Sequence, residues 1–269
     1  MEDVVLCEVR EDGIALLTLN RPDRLNAWTH GMQVALFDLL QTCAEDERVR
    51  VIVITGAGRG FCPGADMDDL SHLSSDSGAV EARASRTDTR PITFAMSIPK
   101  PVIAAINGAC AGLGLAFALT CDLRFCAQNA KLTAAFSRRG LIAEHGTSWI
   151  LPRLVGPARA LDLLISARVI RGSEAADLGL VNRAVEDERL LEVVLEYARD
   201  LAENVSPASM ATIKRQVYEA LSLPLDDALA EANRLMLESF SKPDFAEGVQ
   251  SFVQKRPPAF LPVAGNVGV

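Results

Sequence analysis

The 269-residue sequence predicts an α/β protein, and three observations carry that prediction. In the first two thirds, short apolar runs alternate with stretches of helical periodicity. Two of those runs end in a glycine-rich loop that opens a helix. In the last third the runs disappear, and amphipathic helices with recognisable ends take over.

Taken in order, Val4 to Asn20 alternates and turns at Glu11-Asp12-Gly13, which predicts a hairpin ending in Ile14-Ala-Leu-Leu-Thr-Leu19. A loop follows at Arg21-Pro22-Asp23-Arg24-Leu25-Asn26. Residues 31–44 place Val34, Leu36, Leu39, Leu40 and Cys43 on one helical face, and Val49 to Ile54 is a strand running into Gly56-Ala-Gly-Arg-Gly60. The pattern repeats with a strand at Val102 to Ile106, a glycine turn, and an apolar helix beginning near Leu113. Leu123 to Cys126 and Lys131 to Thr133 read as further strands. Past Leu151 the sequence predicts a helix capped by Ser173 and stopped at Gly179, an amphipathic helix over 187–203, and a helix opened by Ser206-Pro207 as N-cap and first-turn proline. In that last helix Ile213, Val217 and Leu221 recur at a spacing of four, and 225–240 forms another apolar-striped helix. Ser71 to Ser85, rich in Ser, Asp and Gly, reads as a mobile surface segment. These features divide the chain into a core over 1–200 and a C-terminal helical region over 201–269.

Composition narrows the function. Hydrophobic residues at 49% and charged residues at 23% exclude intrinsic disorder. Twenty-seven Lys and Arg against 35 Asp and Glu leave −8, which gives no general attraction to nucleic acid or to anionic membranes. Basic residues adjoin only in pairs, such as Arg138-Arg139 and Lys255-Arg256. The acidic start MEDVVLCEVR does not resemble a secretory leader, so a cytoplasmic protein is expected. Six cysteines without CxxC spacing fit buried thiols in a reducing compartment, and His30, His72 and His145 lie too far apart in sequence to suggest a zinc site. From Pro101 to Cys121, 21 residues carry no charge, but Pro101, Asn107, Gly108, Gly112 and Gly114 break the run, so no membrane helix is expected.

The two glycine loops, Gly60-Phe-Cys-Pro-Gly64-Ala65-Asp66 and Gly108-Ala-Cys-Ala-Gly112-Leu113-Gly114, are the informative feature. Glycine permits close backbone approach, and a helix start leaves unpaired N–H groups that favour anions. If the loops converge, two N–H groups can hold an oxygen that gains charge in a transition state, worth roughly 3–4 kcal/mol per donor. The alternative is a pair of ordinary structural turns. Neither loop completes a dinucleotide fingerprint or a P-loop.

At these residues the chain resembles the crotonase superfamily, the enoyl-CoA hydratase/isomerase family. The resemblance runs through Asn20-Arg-Pro22, Asn26-Ala27, Phe61-Cys-x-Gly64-Ala65-Asp66, Lys100-Pro-Val-Ile-Ala-Ala-Ile-Asn-Gly108, Cys121-Asp122, Leu151-Pro-Arg-Leu-Val-Gly156, Ala175 to Val181, Phe245-x-Glu-Gly248 and Phe252-x-x-Lys-Arg256. It implies a spiral of repeated ββα units with a C-terminal helical region used for trimer assembly, often pairing as hexamers. It also implies acyl-CoA thioester substrates with no metal or redox cofactor, CoA entering as part of the substrate. Carried over by position, the Ala65 and Leu113 N–H groups form the oxyanion hole. Asp66, Met67 and Asp68 line the CoA and acyl path, Arg24 and Leu25 lie near the CoA, and Lys255 reaches a CoA phosphate or remains a solvated surface residue.

The two glutamates of the familiar hydratases fall on Ala116 and Phe136, so the paired-carboxylate mechanism of water addition is not expected. Glu144 falls where isomerase branches of the family place a single acid. Next to Leu141, Ile142 and Ala143 it is expected to be desolvated and to serve as an acid/base; the alternative is a glutamate bonding the start of its own helix. His145 is expected to play a supporting role, Phe136 to pack against acyl chain or core, and Asp122 to be structural. The function expected from the resemblance is relocation of a 3-enoyl-CoA double bond to the 2-position. Hydration by a single carboxylate and a catalytically silent acyl-CoA-binding paralogue are the alternatives.

Overall fold

The computed structural model describes residues 3–68, 71 and 90–263. The Ser71 to Ser85 segment, Ser71 apart, lies outside the described residues. β1 (Val5–Val9) and β2 (Ile14–Leu19) form the expected hairpin, paired antiparallel from Val5↔Leu19 to Val9↔Ala15. After α1 (His30–Glu45), whose N-cap Thr29 accepts from the Met32 N–H, come β3 (Val51–Gly56) and the three-residue β4 (Gly60–Cys62). A short helix α2 (Phe94–Ser97) precedes β5 (Val102–Ile106), β6 (Ala109–Ala111) and α3 (Leu113–Thr120). β7 (Leu123–Ala127) and β8 (Lys131–Thr133) follow.

The strands sort alternately into two sheets. β3, β5 and β7 join one sheet, and β4, β6 and β8 join the other, so each ββα repeat gives one strand to each layer. The larger sheet runs β1-β2-β3-β5-β7 and closes with β10 (Arg183–Val185), parallel except for the opening hairpin. The smaller runs β4-β6-β8 with β9 (Ile170–Arg171). The large sheet is covered on both faces at β3 and β5, where every residue is buried, which explains their unbroken apolar runs. The small strands correct the sequence expectation: β4 and β6 had the appearance of glycine turns because three residues are too few to show a period.

From there α4 (Thr147–Val155), α5 (Pro157–Ser166), α6 (Gly172–Asp177), α7 (Leu190–Asn204), α8 (Pro207–Ala220), α9 (Leu225–Ser239) and α10 (Pro243–Gln254) complete the chain. Ser173 is not the cap of α6; Arg171 holds that position, with no side-chain bond. The Ser206 cap is observed, its hydroxyl accepting from the Ser209 N–H. α7 packs Val194 and Ala198 into the main core and runs through residue 200 to Asn204.

α8 is fastened to the core by a buried charge pair. Lys214 Nζ lies 2.7 Å from Asp122 Oδ2 and also donates to the Ala95 and Lys100 carbonyls, while the Tyr218 hydroxyl donates to Asp122 Oδ1. Burial pushes the Lys214 ammonium pKa down against the pull of Asp122. Asp122 is structural, as expected. Five of the six cysteines are buried free thiols, and Cys7 is exposed. Among the described residues, no helix is long and apolar enough to cross a membrane.

Candidate active site

The two glycine loops converge because their short strands pair. β4 and β6 run parallel, with Gly60 opposite Ala109 and Cys62 opposite Cys110. The contact leaves no room for a side chain: a Cβ on Gly108 would lie 2.1 Å from the Arg59 carbonyl oxygen, and one on Gly114 would lie 2.2 Å from that of Cys62. Asn107 ties the strands together from the other end, donating to the Gly56 and Gly58 carbonyls and accepting from the Gly56 N–H at 3.1 Å.

Gly64, which precedes Ala65, therefore lies close to Leu113. A Cβ on Gly64 would be 3.7 Å from the Leu113 nitrogen. Trp28 bonds on either side of Ala65, its N–H donating to Gly64 O and its carbonyl accepting from the Asp66 N–H. Gly112 N–H donates to Thr133 O, and Ala116 N–H turns back to Gly112 O. Among the described residues this pattern leaves the Ala65 and Leu113 N–H groups without a backbone carbonyl partner. Leu113 is the first residue of α3, where the helix dipole is positive.

The early loop braces this arrangement. Arg21 forms an ion pair with Asp66 at 2.9 Å and donates to Ala27 O, while Asn26 donates to Ala57 and Gly60 carbonyls and accepts from the Arg21 N–H. Burial opposes the Asp66 charge, but the Asp68 N–H and the Arg21 guanidinium outweigh it and hold the carboxyl below its ordinary value. Asp66 is thus occupied with anchoring the loop. Arg24 and Asp68 meet at 3.6 Å on the exposed rim beside exposed Met67, and Leu25 packs on Gly60. The structure brings Arg24 to Asp68 and Leu25 to Gly60, at the edge of the loop that carries Ala65, Asp66 and Met67. Sequence reasoning gave no role to Arg21, Asn26, Trp28 or Asn107, although all but Trp28 lie within the motifs that carry the family resemblance. Trp28 also packs against Phe117 of α3, with ring centroids 5.2 Å apart and the ring planes tilted by 46°.

Glu144 lies in the turn before α4, not in its first turn. Its backbone carbonyl accepts from the Thr147 N–H and hydroxyl, so its carboxylate does not cap the helix. The Glu144 carboxylate lies 3.7 Å from His145 Nε2, and the backbone reaches this arrangement through two left-handed residues, His145 and Gly146. The expected apolar enclosure is incomplete in the single chain, where Leu141 and Ile142 are exposed and the Glu144 side chain is one-third exposed. No described hydrogen bond joins Glu144 to either glycine loop. The helix that follows it, α4, packs on α3, which the second glycine loop opens.

Phe136 is buried with Ala116 and Ala134 beside Gly112. Arg138 and Arg139 are exposed, and Trp149 is half-buried beneath the Arg153 guanidinium. Burial pushes the Cys62 thiol up to about 12 and the Cys110 thiol well above its ordinary value, so neither is a ready nucleophile despite its place on the paired strands. Lys255 caps α10 in a left-handed conformation, and no described contact brings it to the loops. A cavity of about 830 Å³ lies elsewhere, between α8, α9 and α10.

Comparison with known proteins agrees with this geometry. The profile of the family "Enoyl-CoA hydratase/isomerase" matches residues 9–262. The chain is 34% identical over 261 residues to a 1,2-epoxyphenylacetyl-CoA isomerase of Escherichia coli (strain K12), covering 97% of this chain and 99% of that protein. It is 34% identical over 255 residues to the enoyl-CoA hydratase ACTT3 of Alternaria alternata, covering 93% and 83%. Among solved structures, an enoyl-CoA hydratase from Polaromonas sp. JS666 superposes with a TM-score of 0.88 at 31% identity, covering 95% of this chain and 99% of that one. Matching paired strands, converging glycine loops and a profile spanning nearly the whole sequence together place the chain in the enoyl-CoA hydratase/isomerase family, as an enzyme acting on CoA thioesters.

Proposed function

We propose that this enzyme moves the double bond of a 3-enoyl-CoA to the 2-position. The observation that carries the proposal is the pair of unengaged N–H groups, Ala65 and Leu113, at two loops held together by β4–β6 pairing. Donors fixed in place before the reaction stabilise a thioester oxygen as it becomes an enolate and need no reorganisation. Glu144 then removes a proton from C2 and returns one to C4, so one carboxylate suffices and nothing is added or lost. Arg24, Leu25, Met67 and Asp68 form the rim that meets the CoA, Asp66 supports it through Arg21, and Lys255 is assigned to a CoA phosphate. No cofactor is required in this scheme. Hydration by Glu144 alone is the second reading, favoured by the hydratase named in Alternaria alternata.

We assign the apolar C-terminal face to assembly as a homotrimer or a hexamer. Leu225 and Phe252 are 81% and 85% exposed in the single chain, a cost that association removes.

The test compares wild type with Glu144→Gln on 3-enoyl-CoA and on trans-2-enoyl-CoA, following products by mass and by conjugated-thioester absorbance. Isomerisation is expected in wild type and should fall by about 10²–10⁴ in the variant, with CoA-thioester binding retained. Equal hydration of trans-2-enoyl-CoA by both proteins would remove Glu144 from the mechanism. Binding without any product from either substrate would instead support the silent paralogue.

A further inference from the structure

An oxyanion hole works only if its donors are held at hydrogen-bond distance from the place where the charged oxygen will sit. Here the two donors come from different loops, since Ala65 follows β4 and Leu113 opens α3. β4–β6 pairing ties the loops together ahead of both donors. Trp28 makes a second tie, beyond that pairing.

The backbone of Trp28 grips the first loop. Trp28 and Ala65 form a single parallel bridge, in which the Trp28 N–H donates to Gly64 O at 2.8 Å and the Trp28 carbonyl accepts from the Asp66 N–H at 2.9 Å. When one residue of a parallel pair makes both bonds, the residue opposite turns its own N–H and C=O to the other side. The bridge therefore aims the Ala65 N–H away from Trp28 and keeps it out of the pairing.

The side chain of Trp28 reaches the second loop. The indole is 3% exposed and packs on Phe117, which stands one turn along α3 from Leu113. The Phe117 ring in turn lies 6.5 Å from that of Phe37 on α1. α1 also holds the indole directly. Thr29 caps that helix, so Trp28 stands just before the cap and Gln33 at the fourth helical position, two places whose side chains meet across a helix start. Gln33 Oε1 accepts from Trp28 Nε1 at 3.3 Å, and Gln33 Nε2 donates to Arg90 O at 3.5 Å.

We propose that Trp28 is a positioning residue that sets the spacing between the Ala65 and Leu113 N–H groups. Its backbone holds the loop of one donor, and its ring, through Phe117, holds the helix that supplies the other. The proposal rests on the assignment of these two N–H groups as the oxyanion hole and adds the residue that keeps them in register. It applies to isomerisation and hydration alike, because a misplacement of about 1 Å loses transition-state stabilisation whichever bond forms next.

The experiment uses wild type, Trp28→Phe, Trp28→Leu and Phe117→Leu, each bound to butyryl-CoA labelled with ¹³C at the thioester carbonyl. Both substitutions at Trp28 keep the backbone bridge, but only Phe keeps an aromatic face for Phe117. Isotope-edited infrared difference spectra read the carbonyl stretch, whose frequency falls as donors polarise it. Lys214→Met, which strands Asp122 beneath α8, is the control for loss of stability alone, and circular dichroism monitors folding. Binding is expected to lower the frequency in wild type, Trp28→Phe and Lys214→Met, and to lower it far less in Trp28→Leu and Phe117→Leu. With 3-enoyl-CoA or trans-2-enoyl-CoA as substrate, kcat should fall about ten- to hundredfold in Trp28→Leu, while KM stays within about threefold. If Trp28→Leu does not fold, Phe117→Leu tests the same contact from the α3 side. A full shift in Trp28→Leu or Phe117→Leu overturns the role of Trp28 and leaves the oxyanion hole standing. Equal losses in Trp28→Phe and Trp28→Leu, or the same loss in Lys214→Met, also overturn it. A carbonyl unshifted in wild type overturns the oxyanion assignment itself.

Discussion

α3 and α9 are both rich in apolar residues, yet the molecule treats them in opposite ways. All eight residues of α3 are buried, enclosed by β4, β6, α4 and the Trp28 ring, whereas α9 buries only Leu235 among its fifteen. Leu229, Met236 and Leu237 remain exposed. The difference teaches where each part of the chain gets its stability. The two converging glycine loops are held by contacts within one chain, with the start of α3 in a dry layer where N–H dipoles are least screened by water. The outer face of α9 is left uncovered by the described residues, and that is why assembly is assigned there.

The largest expected effect is on the buried side of this contrast. Gly114→Ala forces a Cβ to within 2.2 Å of the Cys62 carbonyl, so the paired strands must part; a loss of about 4 kcal/mol or more is expected in denaturant unfolding, with activity abolished. Retention of wild-type stability would show that α3 is less tightly enclosed than its burial indicates.

Lys214→Met probes the seam between the two regions. It strands the Asp122 carboxylate and should cost about 3–5 kcal/mol. Hydrogen exchange should locate the loosening in α8 while β3 and β5 stay protected. Uniform loosening would mean that core and appendage unfold as one unit.

The Arg21–Asp66 brace gives a smaller, pH-dependent effect. Asp66 is held below its ordinary value of 3.8 in the folded chain, so its stabilising contribution is complete above that value and is lost as pH falls through the lower folded value. Asp66→Asn should cost about 1–2 kcal/mol at neutral pH, and the gap from wild type should close in acid. A gap independent of pH would assign the loss to packing.

The smallest change in the single chain is expected on α9. Leu225→Ser with Leu229→Ser should alter protomer stability by only about 0.5 kcal/mol or less, yet shift the mass measured by light scattering toward the monomer. An unchanged mass would move the interface away from α9.

Much of this was legible in advance. Strands β3 and β5 announce themselves because burial on both faces demands continuous Val, Ile and Ala, and the Ser206-Pro207 helix start is a local hydrogen-bonding signal. The order of the glycine motifs pointed to an oxyanion site before any contact was known. β4 and β6 were not legible, because three residues carry no period and their pairing is a contact between residues about fifty apart in sequence.

The sequence by itself determined the α/β class, the two glycine loops, the family and the missing acids at Ala116 and Phe136, since these depend on residue type and local spacing. Tertiary structure alone decided that Asp66 anchors to Arg21, that Glu144 stands outside its helix, and that the Ala65 and Leu113 N–H groups are left open together. Whether a donor is free or a carboxylate engaged depends on which distant groups come within hydrogen-bond reach, and that is set by packing the two sheets against each other.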